Sequence, residues 1–140
     1  MHDFEFYNPT KIIFGKNKEN LIGKVLKEYG VKKVLFLYGQ SSIKKIGLYD
    51  RVLTSLKEND IQWVEHDGVK PNPVLSHTRE GIEKAKKEKV DAVLAVGGGS
   101  VLDEGKAIAV GVRSKDDVWE YFYRNKEITD ALPVFAILTL

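Results

Sequence analysis

The sequence predicts an α/β domain, a doubly wound parallel sheet with helices on both faces. Three observations carry this. Short apolar runs such as Lys33 to Tyr38 alternate with longer segments whose apolar residues recur at helical spacing. Glycine, proline and asparagine fall between these runs rather than inside them. The apolar run Val90 to Val96 passes directly into Gly97-Gly98-Gly99-Ser100 and then turns amphipathic, the pattern of a strand, a tight turn and a helix. Strands separated by helices of about ten or more residues pair in parallel through right-handed crossovers, which places helices on both sides of the sheet.

The elements follow in order. Phe4 to Phe14 reads as a strand or hairpin around Asn8-Pro9, preceding the sheet. Leu21 to Tyr29 is a helix with Gly30 as its stop, since glycine adopts the left-handed terminal conformation without a Cβ penalty. Lys33 to Tyr38 is a buried strand followed by Gly39. Leu48 to Asn59 sets Leu48, Val52, Leu53 and Leu56 on one helical stripe. Gln62 to Glu65 is a second strand, ended by Asp67-Gly68 and by Pro71-Asn72-Pro73, whose prolines forbid a helix. Leu75 to Lys89 is a helix with Leu75, Ile82 and Ala85 facing in and Lys84, Lys86, Lys87 and Lys89 facing out. Trp119, Tyr121, Phe122 and Tyr123 read as a short helix packed onto the domain rather than a base-stacking platform. Val134 to Leu140 has the pattern of a buried strand, and a chain that stops inside such a pattern is expected to be cut from a longer one.

At 140 residues the chain is expected to form one domain, residues 1–140, that buries roughly two-thirds of its unfolded surface. With 43% hydrophobic and 30% charged residues, the composition argues against disorder. Its 22 Lys and Arg are interleaved with 20 Asp and Glu for a net charge of +2, which gives no basis for a nucleic-acid surface. The absence of cysteine excludes a disulfide framework, a thiol nucleophile and a cysteine-based zinc site. No signal-peptide core is present and no apolar run reaches the ~20 residues that span a bilayer, so no membrane partner and a cytoplasmic location are expected. His2, His66 and His77 lack metal-ligand spacing, and neither a metal site nor histidine catalysis is expected within the chain.

The glycine turn carries the chemistry. Glycines let a backbone approach a phosphate, and the free N–H groups of the following helix point at it with the positive end of the helix dipole. Gly97, Gly98, Gly99 and Ser100 thus form a candidate anion cradle; the alternative is a plain strand-to-helix turn with Ser100 as N-cap. The segment is neither the dinucleotide G-x-G-x-x-G fingerprint, since Leu102 holds its sixth position, nor a P-loop. Asp103 and Lys106, three residues apart, either stand beside a bound cofactor or form a capping box with Ser100 and a solvated lysine. Gly39, Gln40, Ser41 and Ser42 follow another strand at the same sheet edge. They lack the carboxylate that would hold a ribose diol, and with Lys44 and Lys45 nearby they form either a pocket tolerant of a 2′-phosphate or a polar turn.

Several segments together resemble the iron-containing (group III) alcohol dehydrogenases, in their butanol dehydrogenase branch. These are residues 6–15 (FYNPTKIIFG), Val34 to Gly39, Val69 to Pro73, Gly97 to Asp103 with Lys106-Ala107, and Leu132-Pro133. The resemblance covers the whole chain and implies the Rossmann-like N-terminal domain of a two-domain enzyme. Such an enzyme interconverts a small alcohol and an aldehyde by hydride transfer with NAD or NADP and a divalent metal, and a homodimer is expected. It further implies that Gly98, Gly99 and Ser100 hold the pyrophosphate, that Asn72 and Asp103 line the cofactor path, that Thr139 and Leu140 begin contacts near adenosine, and that Gly39, Gln40 and Ser41 surround the adenosine ribose. Family members that resemble NADP users carry glycine at the position of Gln40. The family's metal ligands, one aspartate and three histidines in a helical C-terminal domain, have no counterpart here. Fe2+ or Zn2+ is therefore expected only in a complete enzyme, with no catalytic or metal residue in this chain and no turnover by it alone. Two other readings share the motifs: a stand-alone nucleotide-binding module without chemistry, and a fragment of a sugar-phosphate cyclase of the dehydroquinate synthase type.

Overall fold

A computed structural model describes residues 9–72, 74–123 and 126–139. After a 3-10 turn at Lys18–Leu21 the chain forms α1 (Ile22–Glu28), β1 (Lys33–Tyr38), a single turn α2 (Ser42–Lys45) and α3 (Leu48–Glu58). It continues through β2 (Gln62–His66), α4 (Leu75–Glu88), β3 (Ala92–Gly97), α5 (Gly99–Arg113), α6 (Trp119–Tyr123) and β4 (Val134–Leu138). The four strands form one sheet in the order β2-β1-β3-β4, and every pairing is parallel.

The central strands explain the apolar runs of the sequence. In β1, Val34, Phe36 and Tyr38 point to one face and Leu35 and Leu37 to the other; in β3, Ala92, Leu94 and Val96 oppose Val93 and Ala95 in the same way. Both faces are buried, so neither strand shows polar alternation. The first core is closed by α1 and α3 through Ile22, Leu26, Leu48, Val52 and Leu56. The second is closed by α4 and α5 through Ile82, Ala85, Val101, Ile108 and Ala109. Asp91 ties the base of the sheet, its carboxylate accepting from the backbone N–H groups of Lys32 and Lys33 at 2.8 and 3.0 Å.

Three expectations are corrected. Of the N-terminal strand or hairpin, residues 1–8 lie outside the described residues, and Pro9 to Phe14 form no strand, with Ile12 and Phe14 80% and 95% exposed. The aromatic helix α6 is packed down only in part, through the half-buried Tyr121, whose hydroxyl lies 2.8 Å from that of Ser114. Val118 before it and Leu132 beyond it enter the second core, while Trp119, Phe122 and Tyr123 remain exposed. β4 is only half buried, because as the sheet edge it pairs with β3 alone: Phe135 and Ile137 pack on the first core while Val134, Ala136 and Leu138 are exposed.

Helix α1 meets α3 so closely that only hydrogen fits between them. A Cβ built on Gly23 would lie 2.1 Å from the carbonyl oxygen of Ser55, whose hydroxyl accepts from the Gly23 N–H at 2.9 Å and donates to the Asn20 carbonyl at 2.8 Å. Gly23→Ala must therefore push the two helices apart. Overpacking of this kind costs about 1–3 kcal/mol, to be read as a lower urea midpoint with unchanged slope. An unchanged midpoint would show that the contact is not tight.

Candidate functional site

The order β2-β1-β3-β4 contains one place where the winding reverses. β1 leads through α3 to β2 on one side, and β2 crosses back over β1 through α4 to β3 on the other. The crevice of an open α/β sheet lies at such a reversal, outside the carboxyl ends of the two strands. Here those ends are Tyr38-Gly39 and Gly97-Gly98, and the lips of the crevice are residues 39–42 and 97–100.

The glycines of the second lip differ in what the chain itself demands of them. Gly97 has φ +155°, a backbone that side chains rarely adopt, and a Cβ there would strike Val101 at 2.7 Å. Gly98 and Gly99 face no such constraint. Gly98 is extended (φ −82°, ψ −170°), a Cβ on it reaches nothing nearer than the Thr139 carbonyl at 4.0 Å, and one on Gly99 meets nothing at all. The space before them is open. Gly98, not Ser100, is the N-cap of α5, and no side chain caps the helix. The Ser100 N-cap reading and the capping box with Asp103 are thereby corrected: Ser100 already lies in the first helical turn, so its hydroxyl is not placed to satisfy the leading N–H groups.

Thr139 joins this lip, its N–H donating to the Gly97 carbonyl at 2.9 Å, while Leu140 lies outside the described residues. Asp103 and Lys106 are exposed, one and two turns into α5. On the first lip, Gln40, Ser41 and Ser42 are exposed, and Ser41 stands at the N-cap of α2. Lys44 is less free than the sequence implies: its ammonium lies 4.8 Å from the ring centre of Tyr49 and 5.6 Å from that of Tyr38. Both phenols donate to Glu65, at 2.7 Å from Tyr38 and 2.9 Å from Tyr49. Burial and that carboxylate raise both phenol pKa values, so neither phenol ionises at neutral pH. Asn72 is exposed in the loop after β2 with φ 55°, a left-handed conformation that asparagine tolerates. The loop is sewn to the first lip, the Gly68 N–H donating to the Gly39 carbonyl at 2.8 Å and the Val69 N–H to that of Tyr38 at 3.3 Å.

Sequence spacing does not reveal a second cluster beneath the lips. His66 at the end of β2, His77 in the first turn of α4 and Glu104 in α5 bring their polar atoms within 4.8 Å of one another. The two rings stack with centres 4.2 Å apart. His77 directs Nδ1 at both oxygens of Glu104, at 2.8 and 2.9 Å, and Nε2 at the Asp67 carbonyl, at 2.6 Å. His66 directs Nε2 at the His77 carbonyl at 2.9 Å, and Thr78 donates its hydroxyl to Glu104 at 3.1 Å. Each of these nitrogens faces an oxygen acceptor, and His77, with an acceptor at both ring nitrogens, meets both as a donor only when it carries two protons. The same three side chains stand close enough together to hold a cation, and in this structure they are engaged with one another and with backbone carbonyls. One signal of this cluster was available in the sequence. Glu104 stands in the inward stripe of α5 between Val101 and Ile108, where a carboxylate requires a partner.

The class defined by this geometry is a Rossmann-type α/β domain with an open glycine turn at the reversal of its sheet. Residues 9–140 match the family described as iron-containing alcohol dehydrogenase, and the chain belongs to that family. It is 46% identical over 140 residues to NADH-dependent butanol dehydrogenase A of Clostridium acetobutylicum, covering 100% of this chain and 36% of that protein. It is 36% identical over 143 residues to the NADPH-dependent aldehyde reductase YqhD of Escherichia coli, with the same coverage. Its fold superposes on the crystal structure of NADH-dependent butanol dehydrogenase A from Thermotoga maritima with a TM-score of 0.98 at 55% identity, over 100% of this chain and 35% of that one. The chain thus spans about 36% of the length of the curated relatives it matches. Among the described residues no helix is long and apolar enough to cross a membrane.

The two stacked histidines give a pH signature. Burial opposes a charge on His77, but its hydrogen bonds to Glu104 and to the Asp67 carbonyl, with the charges of Glu104 and Glu80, outweigh this and raise its pKa. Its contribution to stability is full below the unfolded value of about 6.5 and is lost as pH rises through the folded pKa. Burial lowers the pKa of His66, so its contribution is present above about 6.5 and is lost as pH falls through its folded pKa. Stability should therefore peak near pH ~6.5, as measured by urea unfolding across pH. His77→Ala, which removes the ion-pair partner of the buried Glu104 and leaves it only the Thr78 hydroxyl, should cost about 3 kcal/mol at that pH. A stability profile unchanged in that variant would contradict the pairing.

Proposed function

We propose that this chain is the dinucleotide-binding domain of a metal-dependent alcohol dehydrogenase that interconverts a small alcohol, butanol-like by its relatives' names, and the aldehyde. The observation that supports this best is the open glycine turn. Gly98 and Gly99 adopt backbones open to any residue and leave empty space where a Cβ would stand, so nothing in the chain's own packing accounts for them. A phosphate-bearing ligand does. The free N–H groups at the start of α5 bind its pyrophosphate, and the hydroxyl of Ser100 adds a donor. Gly39, Gln40, Ser41 and Ser42 surround the adenosine ribose from the other lip, Thr139 and Leu140 close the sheet edge, and Asn72, Gly97, Asp103 and Lys106 line the path between them. The nicotinamide supplies the hydride acceptor or donor when bound. This chain's residues bind and orient it; the metal, Fe2+ or Zn2+, is held by residues other than these, so the chain alone has no turnover. The half-exposed β4 edge, with Leu138 66% exposed, favours association as a homodimer, and a cytoplasmic location agrees with the absence of cysteine.

The nucleotide is NAD or NADP. Relatives named for NADH and for NADPH are both similar to this chain. No carboxylate stands on the first lip to repel a 2′-phosphate, but Gln40 narrows it and Lys44 is engaged with Tyr38 and Tyr49. Discrimination between NADH and NADPH below tenfold, under about 1.4 kcal/mol, is expected. Calorimetric titration of the chain with each nucleotide tests the reading. Gly98→Val should abolish binding of both while circular dichroism stays unchanged, and added Fe2+ or Zn2+ should yield no aldehyde reduction. Unchanged affinity in Gly98→Val would move the cofactor elsewhere, strong salt-insensitive preference for NADH would show that the lip excludes the phosphate, and metal-dependent turnover would place the ligands within this chain.

A further inference from the structure

We propose that His77 is a positioning residue for the cofactor crevice, clasping the loop after β2 to helix α5 only while its imidazole carries two protons. The inference rests on the dinucleotide reading above, and it concerns residues that lie behind the lips rather than on them. A neutral imidazole has one N–H. His77 faces two acceptors, Glu104 through Nδ1 at 2.8 Å and the Asp67 carbonyl through Nε2 at 2.6 Å, so loss of a proton sets one lone pair against another at hydrogen-bond distance. The weaker of the two contacts must then open. Glu104 cannot follow, because its side chain is fully buried and held by Thr78. The loop can give way locally at Asp67: among the described residues it is otherwise held by the two backbone bonds from Gly68 to Gly39 and from Val69 to Tyr38 and by the Val69 side chain in the second core, none of which fixes the Asp67 carbonyl against the imidazole.

Those two bonds make the clasp relevant to binding. Gly39 begins the first lip, and Asn72 lies in the same loop as Asp67. Glu104 follows Asp103 on α5, the helix whose N-terminus is the second lip. His77 therefore spans both sides of the crevice from beneath, and its charge state sets how firmly the first lip is held relative to the second. Other groups face it from each packed element: His66 of β2, Asp67 and Lys70 of the loop, Glu80 of α4 and Glu104 of α5, while Lys84 of α4 acts on the neighbouring His66. Among the described residues Glu104 alone forms an ion pair with it, and the Lys84 ammonium is taken up by the Glu65 carbonyl at 2.9 Å.

Two readouts on the full chain test this. The first needs no ligand: amide exchange protection of Gly68 and Val69, each rate divided by its intrinsic rate, measured from about pH 6 to about pH 9. Protection should fall through a step centred above about 6.5, a step that is absent in His77→Gln and displaced to lower pH in Glu104→Gln. The second is the dissociation constant of NADH over the same range, which should rise about fivefold across the step in the wild type. His77→Gln should show the weaker value throughout. Flat protection in the wild type overturns the proposal, as does a His77→Gln chain with full low-pH protection. Should His77→Gln fail to fold, the wild-type titration and the nearly isosteric Glu104→Gln carry the comparison. A protection step with a constant NADH affinity overturns the coupling to the crevice. A protection step with no NADH binding at any pH upholds the clasp, and the failure then belongs to the dinucleotide reading.

Discussion

β1 and β3 lie side by side with both faces buried, and each alternate side chain has a different core to enter. Phe36 and Leu94 reach the core under α1 and α3, Leu35 and Val93 the core under α4 and α5. A slip of one residue would send every one of these side chains into the wrong layer, so the register of Leu35 with Val93 is strongly specified. That register fixes where both strands end. Gly39 and Gly97 therefore emerge together at the carboxyl edge, and the crevice between them is a consequence of core packing rather than a separate feature.

The polar ties act on this frame from below. Asp91 holds the amino end of the sheet through the N–H groups of Lys32 and Lys33, while His77 and Glu104 join the loop after β2 to α5 at the opposite end. The two differ in kind. The Asp91 contacts are exposed and of the capping sort, whereas Glu104 is wholly enclosed and depends on its partner. The enclosed carboxylate and its histidine thus lie at the edge that carries the glycine turn, while the central strand β3 is apolar throughout.

Much of this was legible in the sequence. Lys33 to Tyr38 and Leu48 to Glu58 fall where the apolar run and the helical stripe put them, because local pattern and tertiary burial agree there. The all-parallel order followed from helical segments between strands. What failed to read through depends on contacts distant in sequence. Pro9 to Phe14 has strand-like residues but pairs with no described strand, and Trp119 and Phe122 stay exposed beside Val118, which enters the second core. The glycine turn is visible as three consecutive glycines, but the sequence does not distinguish among them: Gly97 is required by its own backbone, while Gly98 and Gly99 are not. The pairing of His77 with Glu104 spans 27 residues and no motif announces it, although the position of Glu104 in the inward stripe of α5 carried the warning.

Membership of the iron-containing alcohol dehydrogenases places the chain among relatives that include ones named for NADH and for NADPH, and the open space before Gly98 and Gly99 is where the proposed reading puts such a nucleotide. The most direct test is a backbone amide NMR map of the chain titrated with NADH. The account predicts that the largest shifts fall on Gly98 to Leu102 and on Gly39 to Ser42, the two lips joined by the register of β1 and β3. Shifts confined to the groove beside Trp119 and Phe122, or spread without focus over the surface, would contradict it.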